Sequence, residues 1–105
     1  MKESGIISAI AQYLQYQENA GRLIFIRNNT GAFTNPKGKF FRMGKPGSPD
    51  FLVFIHNGRC LHIEVKNEKG KLNENQIEYS EKIKNLGHDY HVARNLDDVE
   101  RLLAA

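Results

Sequence analysis

Apolar residues recur at helical spacing from the start of the chain, at Ile6, Ile10, Tyr13 and Leu14, with Gln17 continuing the same face. Ser4 stands where an N-cap would, and Gly21 suits the stop, so the first element is a helix. The period then shortens. Residues 22–27, Arg-Leu-Ile-Phe-Ile-Arg, are β-branched and aromatic and run into Asn28-Asn29-Thr30-Gly31, which predicts a strand and a turn. Residues 32–48 mix glycines and prolines with basic and aromatic residues and sustain no apolar period, which predicts a long functional loop in which Phe33, Phe40 and Phe41 pack or stack.

The central pattern is two β-rich runs, 50–56 and 59–66, around Asn57-Gly58, a hairpin signal. A two-residue turn would put the apolar residues of the two strands on opposite faces. A three-residue loop, His56-Asn57-Gly58 with a left-handed Gly58, instead gathers Phe51, Val53 and Ile55 with Leu61, Ile63 and Val65 on one face. That register sets Asp50 directly opposite Glu64 on the other face, with Cβ atoms about 5 Å apart. Beyond Gly70, Asn73 and Gln76 form a capping-box pattern, and Gln76, Ile77, Ser80, Ile83 and Leu86 line part of a helix that ends at Gly87. Residues 88–94 alternate as a strand, and 97–103 read as a short helix with Asp97 and Glu100 as its capping pair. The predicted order is α-β-β-β-α-β-α.

A chain of 105 residues fits one domain with one core, and 40% hydrophobic with 26% charged residues is ordinary globular usage. Apolar runs are far shorter than a membrane span, and the first residues lack the apolar stretch of a secretory signal, so the expected location is the cytoplasm of the host cell. One cysteine, Cys60, excludes an internal disulfide and a cysteine-based zinc cluster, and suits a buried strand thiol. The net charge of +3 is unevenly placed. No acidic residue occurs between Glu18 and Asp50, a stretch that holds Arg22, Arg27, Lys37, Lys39, Arg42 and Lys45. Such a segment is either a solvated basic loop or a phosphate-binding one.

Two carboxylates facing each other across a hairpin repel, so Asp50 and Glu64 call for a cation or a shared proton. Mg²⁺ fits, because hard divalent ions prefer carboxylate and carbonyl oxygens, and the backbone carbonyl of Val65 lies beside Glu64 as a further ligand. Lys66 returns to the Glu64 face two residues on, where its ammonium can approach an attacking water or the charge developing on phosphorus. Phosphodiester hydrolysis needs that combination.

Pro49-Asp50 followed by Glu64-Val65-Lys66 resembles the PD-(D/E)XK nuclease motif. With Gly44-Lys45-Pro46-Gly47-Ser48-Pro49-Asp50, Arg27-Asn28-Asn29-Thr30-Gly31, and Gly70-Lys71-Leu72 leading to Gln76, nearly the whole chain resembles the virus-type replication-repair nuclease family, the VRR-NUC domain. The resemblance implies an α/β restriction-endonuclease-like core with a mixed central sheet flanked by helices, spanning residues 1–105. It makes Asp50 and Glu64 metal ligands, Lys66 the catalytic lysine and Gln76 a helper, although Gln76 also has a purely capping reading. It places an acidic residue of the first helix near the metal: Glu3 by position, with Glu18 behind it. It implies Mg²⁺, replaceable by Mn²⁺, as cofactor.

The basic segment then leads into Asp50, and Lys37, Lys39, Arg42 and Lys45, with Arg27, are expected to hold backbone phosphates without reading bases. Among the histidines, His88 and His91 point to opposite faces of a strand and cannot clamp one ion, while His62 shares the Glu64 face and either packs or tunes the site. The expected function is an Mg²⁺-dependent DNA endonuclease acting on Holliday junctions or other branched DNA in phage replication or repair. Small free-standing members resemble junction-resolving homodimers, and symmetric cutting of two strands with one site per chain requires two subunits. The alternatives are a catalytically silent module that binds DNA structure, and a restriction-like enzyme with a defined target sequence.

Overall fold

The computed structural model describes residues 1–28 and 31–105, with residues 31–33, 42 and 43 described by their backbone alone. Helix α1 spans Glu3–Asn19 and is followed by strand β1, Ile24–Arg27. Then come β2, Gly31–Thr34, β3, Phe40–Met43, β4, Phe51–Phe54, and β5, Cys60–Val65. Helix α2, Glu74–Asn85, strand β6, Asp89–Ala93, and helix α3, Leu96–Ala104, complete the chain. Strands β1, β4, β5 and β6 form one sheet in that order, antiparallel except for the parallel β5–β6 pair, so the sheet is mixed as expected.

The β4–β5 hairpin has the expected register, with Phe51 opposite Ile63 and Val53 opposite Leu61. Arg59 N–H donates to the His56 carbonyl across left-handed Asn57 (φ 63°) and Gly58 (φ 71°), a tight type I′ turn. His56 is the extra residue beside it, since Ile55 N–H already pairs with the Arg59 carbonyl. The bulge sets the parity of both strands. One face therefore carries Phe51, Val53, Leu61, Ile63 and Val65, all fully buried beneath Ile6, Ile10 and Leu14 of α1 and Val99 of α3. Loss of any one of the larger of these side chains to alanine removes transfer energy and leaves a cavity.

Four local expectations change. Residues 32–48 are not all loop, because β2 and β3 pair as a two-stranded hairpin, Phe33 opposite Phe41, adding two strands to the order. Each strand is only four residues and interrupted by turn formers, so no period showed. Ser4 does not cap α1; Lys2 holds the cap position, without a side-chain bond, and Glu3 opens the helix. Asn95, not Asp97, caps α3, its Oδ1 accepting from Asp98 N–H at 2.9 Å. On α2, Ile77 and Leu86 are exposed, whereas Ser80 is buried and Tyr79 half-buried. The reason is the surface beneath: α2 covers the second face of the sheet, where Gln76 meets Glu64 and Tyr79 meets His62 and the ring of Tyr90. The turn expected at Asn28–Gly31 falls partly on 29 and 30, outside the described residues.

Helix stops follow expectation. Gly21 and Gly87 are left-handed, and after α2 the N–H groups of Gly87 and His88 satisfy the carbonyls of Lys84 and Ile83. Gly47 is a stricter requirement. At φ +83°, its missing Cβ would lie 2.1 Å from the Asn75 carbonyl oxygen, so the 44–49 loop touches the first turn of α2 backbone to backbone. Gly47→Ala is expected to destabilise the fold by at least about 2 kcal/mol, through left-handed strain and the clash together. Urea unfolding would read it; a midpoint equal to wild type would show that loop and helix can part without cost.

Candidate functional site

Asp50 immediately precedes β4, and extending the β4–β5 register sets it opposite Glu64. Its Oδ2 accepts the Val65 N–H at 2.8 Å, which orients the carboxylate toward the end of β5. Asn28 fixes the backbone there. Its N–H donates to the Asp50 carbonyl at 2.8 Å, and its Nδ2 donates to Ser48 Oγ and the Pro49 carbonyl, both at 2.9 Å. Ser48 Oγ in turn donates to the Lys45 carbonyl at 2.8 Å. The Pro49-Asp50 dipeptide is thus held from both sides.

Glu64 is only 4% exposed. Burial chiefly, then the neighbouring Asp50 carboxylate and the hydrogen bond shared with it, push its pKa from 4.5 up to about 8, against the pull of Lys66 and with a smaller push from Glu3. Glu3, in the first turn of α1, joins them. One carboxylate oxygen each from Glu3, Asp50 and Glu64 lie within 4.8 Å of one another, the single such group of three or more among the described residues. Glu18, the other candidate on α1, is elsewhere: its Oε1 accepts the Phe25 N–H at 3.1 Å on strand β1. Among the described residues, the salt bridge to this acidic cluster comes from Lys66, whose Nζ lies 3.7 Å from Glu64 Oε2.

Gln76 caps its helix and also reaches Glu64. Its Oε1 accepts the Asn73 N–H at 3.0 Å while Asn73 Oδ1 accepts the Gln76 N–H at 2.9 Å, a complete capping box. Its Nε2 donates to Glu64 Oε2 at 3.2 Å. The cap needs an acceptor, which leaves the amide nitrogen free to face the carboxylate.

Sequence reasoning missed several residues that aim these groups. Arg94 Nη1 donates to the carbonyls of Asn67 at 2.6 Å and Gly70 at 2.8 Å, closing the turn after Lys66. Gly70 sits so near the Lys66 stem that a Cβ there would lie 3.3 Å from Lys66 Cβ and Cδ. Asn28 and Ser48 stood in the segments that carry the family resemblance but with no role assigned; their partners lie some twenty residues apart, and no local period reports that.

His62 is a packed histidine. It is 6% exposed, meets the Tyr79 hydroxyl at 3.2 Å through Nδ1, and has burial, then His88, holding its pKa down. Cys60 is half-buried rather than buried, its thiol pKa raised by desolvation. Arg27, Lys37, Lys39 and Lys45 are all exposed, and Lys39 Nζ lies 5.3 Å from the centre of the Phe41 ring. The side chain of Arg42 lies outside the described residues.

A mixed sheet with helices on both faces, an Asp entering one hairpin strand and a Glu-x-Lys leaving the next define a restriction-endonuclease-like nuclease fold. More narrowly, the chain belongs to the VRR-NUC domain family, whose model matches residues 2–95. Among solved structures it is similar to a VRR_NUC domain at 21% identity, with TM-score 0.64, over 99% of this chain and 97% of that one. A comparison with curated proteins gave no match. Membership makes this a nuclease-type, DNA-processing module, of a family that generally uses divalent metals. No helix among the described residues is long and apolar enough to cross a membrane.

Proposed function

We propose that the protein is an Mg²⁺-dependent endonuclease that hydrolyses phosphodiester bonds in branched DNA. The observation that carries this reading is the carboxylate cluster of Glu3, Asp50 and Glu64 with the Lys66 ammonium against it. The donor set fits the ion: all three side chains offer hard oxygen ligands, and their like charges need a cation when ionised. Glu3, Asp50 and Glu64 would hold it, with the Val65 carbonyl as a further ligand. When bound, such an ion polarises a phosphate oxygen and acidifies water at neutral pH.

The chain's own groups do the rest. Gln76 fixes the rotamer of Glu64, and the Val65 N–H fixes that of Asp50, so both carboxylates are oriented before substrate arrives. Lys66 offers positive charge to the attacking oxygen or to the charge developing on phosphorus. Lys37, Lys39, Arg42 and Lys45, with Arg27, would grip backbone phosphates, which carry no sequence information. Paired cuts on two strands with one such site per chain call for a homodimer. We place this activity in replication or repair of phage or prophage DNA, in the cytoplasm of a bacterial host, with residues 1–105 acting as one domain.

Cleavage of flaps, forks and four-way junctions tests the proposal. Cutting is expected with Mg²⁺ or Mn²⁺ and none in EDTA, and neutralising Lys37, Lys39 and Lys45 together should flatten the slope of log affinity against log salt by about 3. Cutting without metal would overturn the mechanism. Binding without cutting under any divalent ion would favour the silent module instead.

A further inference from the structure

The β2–β3 hairpin has a second feature besides its charge. Phe40 is 60% exposed at the start of β3, a large ring held in water. The tip that presents it is locked. Asn35 Oδ1 accepts the N–H groups of Lys37 at 3.0 Å and Lys39 at 2.9 Å, Asn35 N–H pairs with the Lys39 carbonyl at 2.9 Å, and Gly38 N–H donates to the Asn35 carbonyl at 2.9 Å. The root is locked too, because Asn28 binds Ser48, Pro49 and Asp50 at the two chain ends that enter and leave the hairpin. Phe40 therefore stands on a braced arm that springs from the rim of the carboxylate cluster.

We infer that Phe40 is a stacking residue for an unpaired or unstacked nucleobase, and so determines the preference of the site for open DNA over continuous duplex. The inference rests on the DNA-cleaving reading above. Its chemistry follows from the segment that carries it: the hairpin tip bears exposed Lys37 and Lys39, and no acidic residue occurs from 19 to 49, so the partner is an anion that also offers an apolar π face. Nucleic acid with an accessible base is such a partner. A continuous duplex shields its base faces by stacking, whereas a flap, fork or junction exposes them. A preformed arm adds affinity because little ordering remains to be done on binding.

The chain contains no tryptophan, so Phe40→Trp introduces a single fluorescent reporter in a position that already holds a ring. Titrations in EDTA keep all DNA intact. With a four-way junction or a single-stranded flap, Phe40→Trp should retain wild-type affinity and its fluorescence should be quenched; with a nick-free duplex of the same sequence it should not be. Phe40→Ala and Phe40→Leu should both lose roughly tenfold in affinity for the branched DNA and less than about twofold for the duplex. Leu separates stacking from mere apolarity. Equal affinity of Phe40→Ala and wild type for branched DNA, or equal quenching by duplex, would overturn the inference. So would a change in sedimentation of Phe40→Ala without any change in DNA binding, which would make the ring a protein contact. Should only stacking fail, wild-type cleavage with Mg²⁺ persists; a wild-type protein that neither binds nor cuts DNA would instead bring down the reading beneath it.

Discussion

Asp50→Ala is expected to lower cleavage of branched DNA by on the order of a thousandfold, with DNA affinity within about threefold of wild type. The separation follows from where Asp50 sits. Its carboxylate faces Glu64 and Glu3 inside the cluster, whereas the groups proposed to hold phosphate lie on the exposed basic hairpin and its flanks. Stability should change little. Truncation removes the hydrogen bond from Val65 N–H, about 1 kcal/mol, but also removes the like charge that pushes on Glu64. Single-turnover cleavage with Mg²⁺, gel shift in EDTA and a melting curve read the three quantities separately. A mutant that still cuts at a tenth of the wild-type rate would remove Asp50 from the chemistry.

The second large effect concerns pH. In the metal-free fold Glu64 keeps its proton up to about 8, while in the unfolded chain it loses it near 4.5. Between those values the folded state binds the extra proton, so stability falls as pH rises, with a slope of at most about 1.4 kcal/mol per unit. Buried His62 and half-buried His91 act the other way. Their folded pKa values are lowered, so they add stability as pH rises toward 6.5 and nothing above it. Urea midpoints in EDTA should therefore decline from pH 6.5 to 8, and Glu64→Gln should abolish that decline. Added Mg²⁺ should restore the lost stability and bind more tightly as pH approaches 8, since a bound cation displaces the proton. A wild-type profile that is flat from 6.5 to 8, or one that Glu64→Gln leaves unchanged, would contradict this account.

The hairpin register was legible because burial admits one parity. With Phe51, Val53, Leu61, Ile63 and Val65 on a single buried face, Asp50 and Glu64 have to share the other. Charge asymmetry likewise marked the basic segment but not its shape. Strands β2 and β3 pair mainly with each other, and with so little core to fill they left no alternation for sequence to display. The choice between Glu3 and Glu18 was closed to sequence for another reason. Both lie on α1, about 22 Å apart along its axis, and only the packing of the helix across the sheet says which end meets Glu64. Asn28 and Arg94 were hidden because each acts on main-chain carbonyls more than twenty residues away.

Gln76 joins two events that most folds keep apart. The first turn of a helix is where opening costs least, and its hydrogen bonds exchange with solvent long before the core does. Here that turn is closed by the same amide that touches Glu64. Each transient fraying of α2 therefore frees the Gln76 amide from Glu64 as well, and the lifetime of that contact is bounded by the lifetime of one helical turn. Slow amide exchange at Asn73 to Ile77 would be the signature of a cluster held together in time as well as in space.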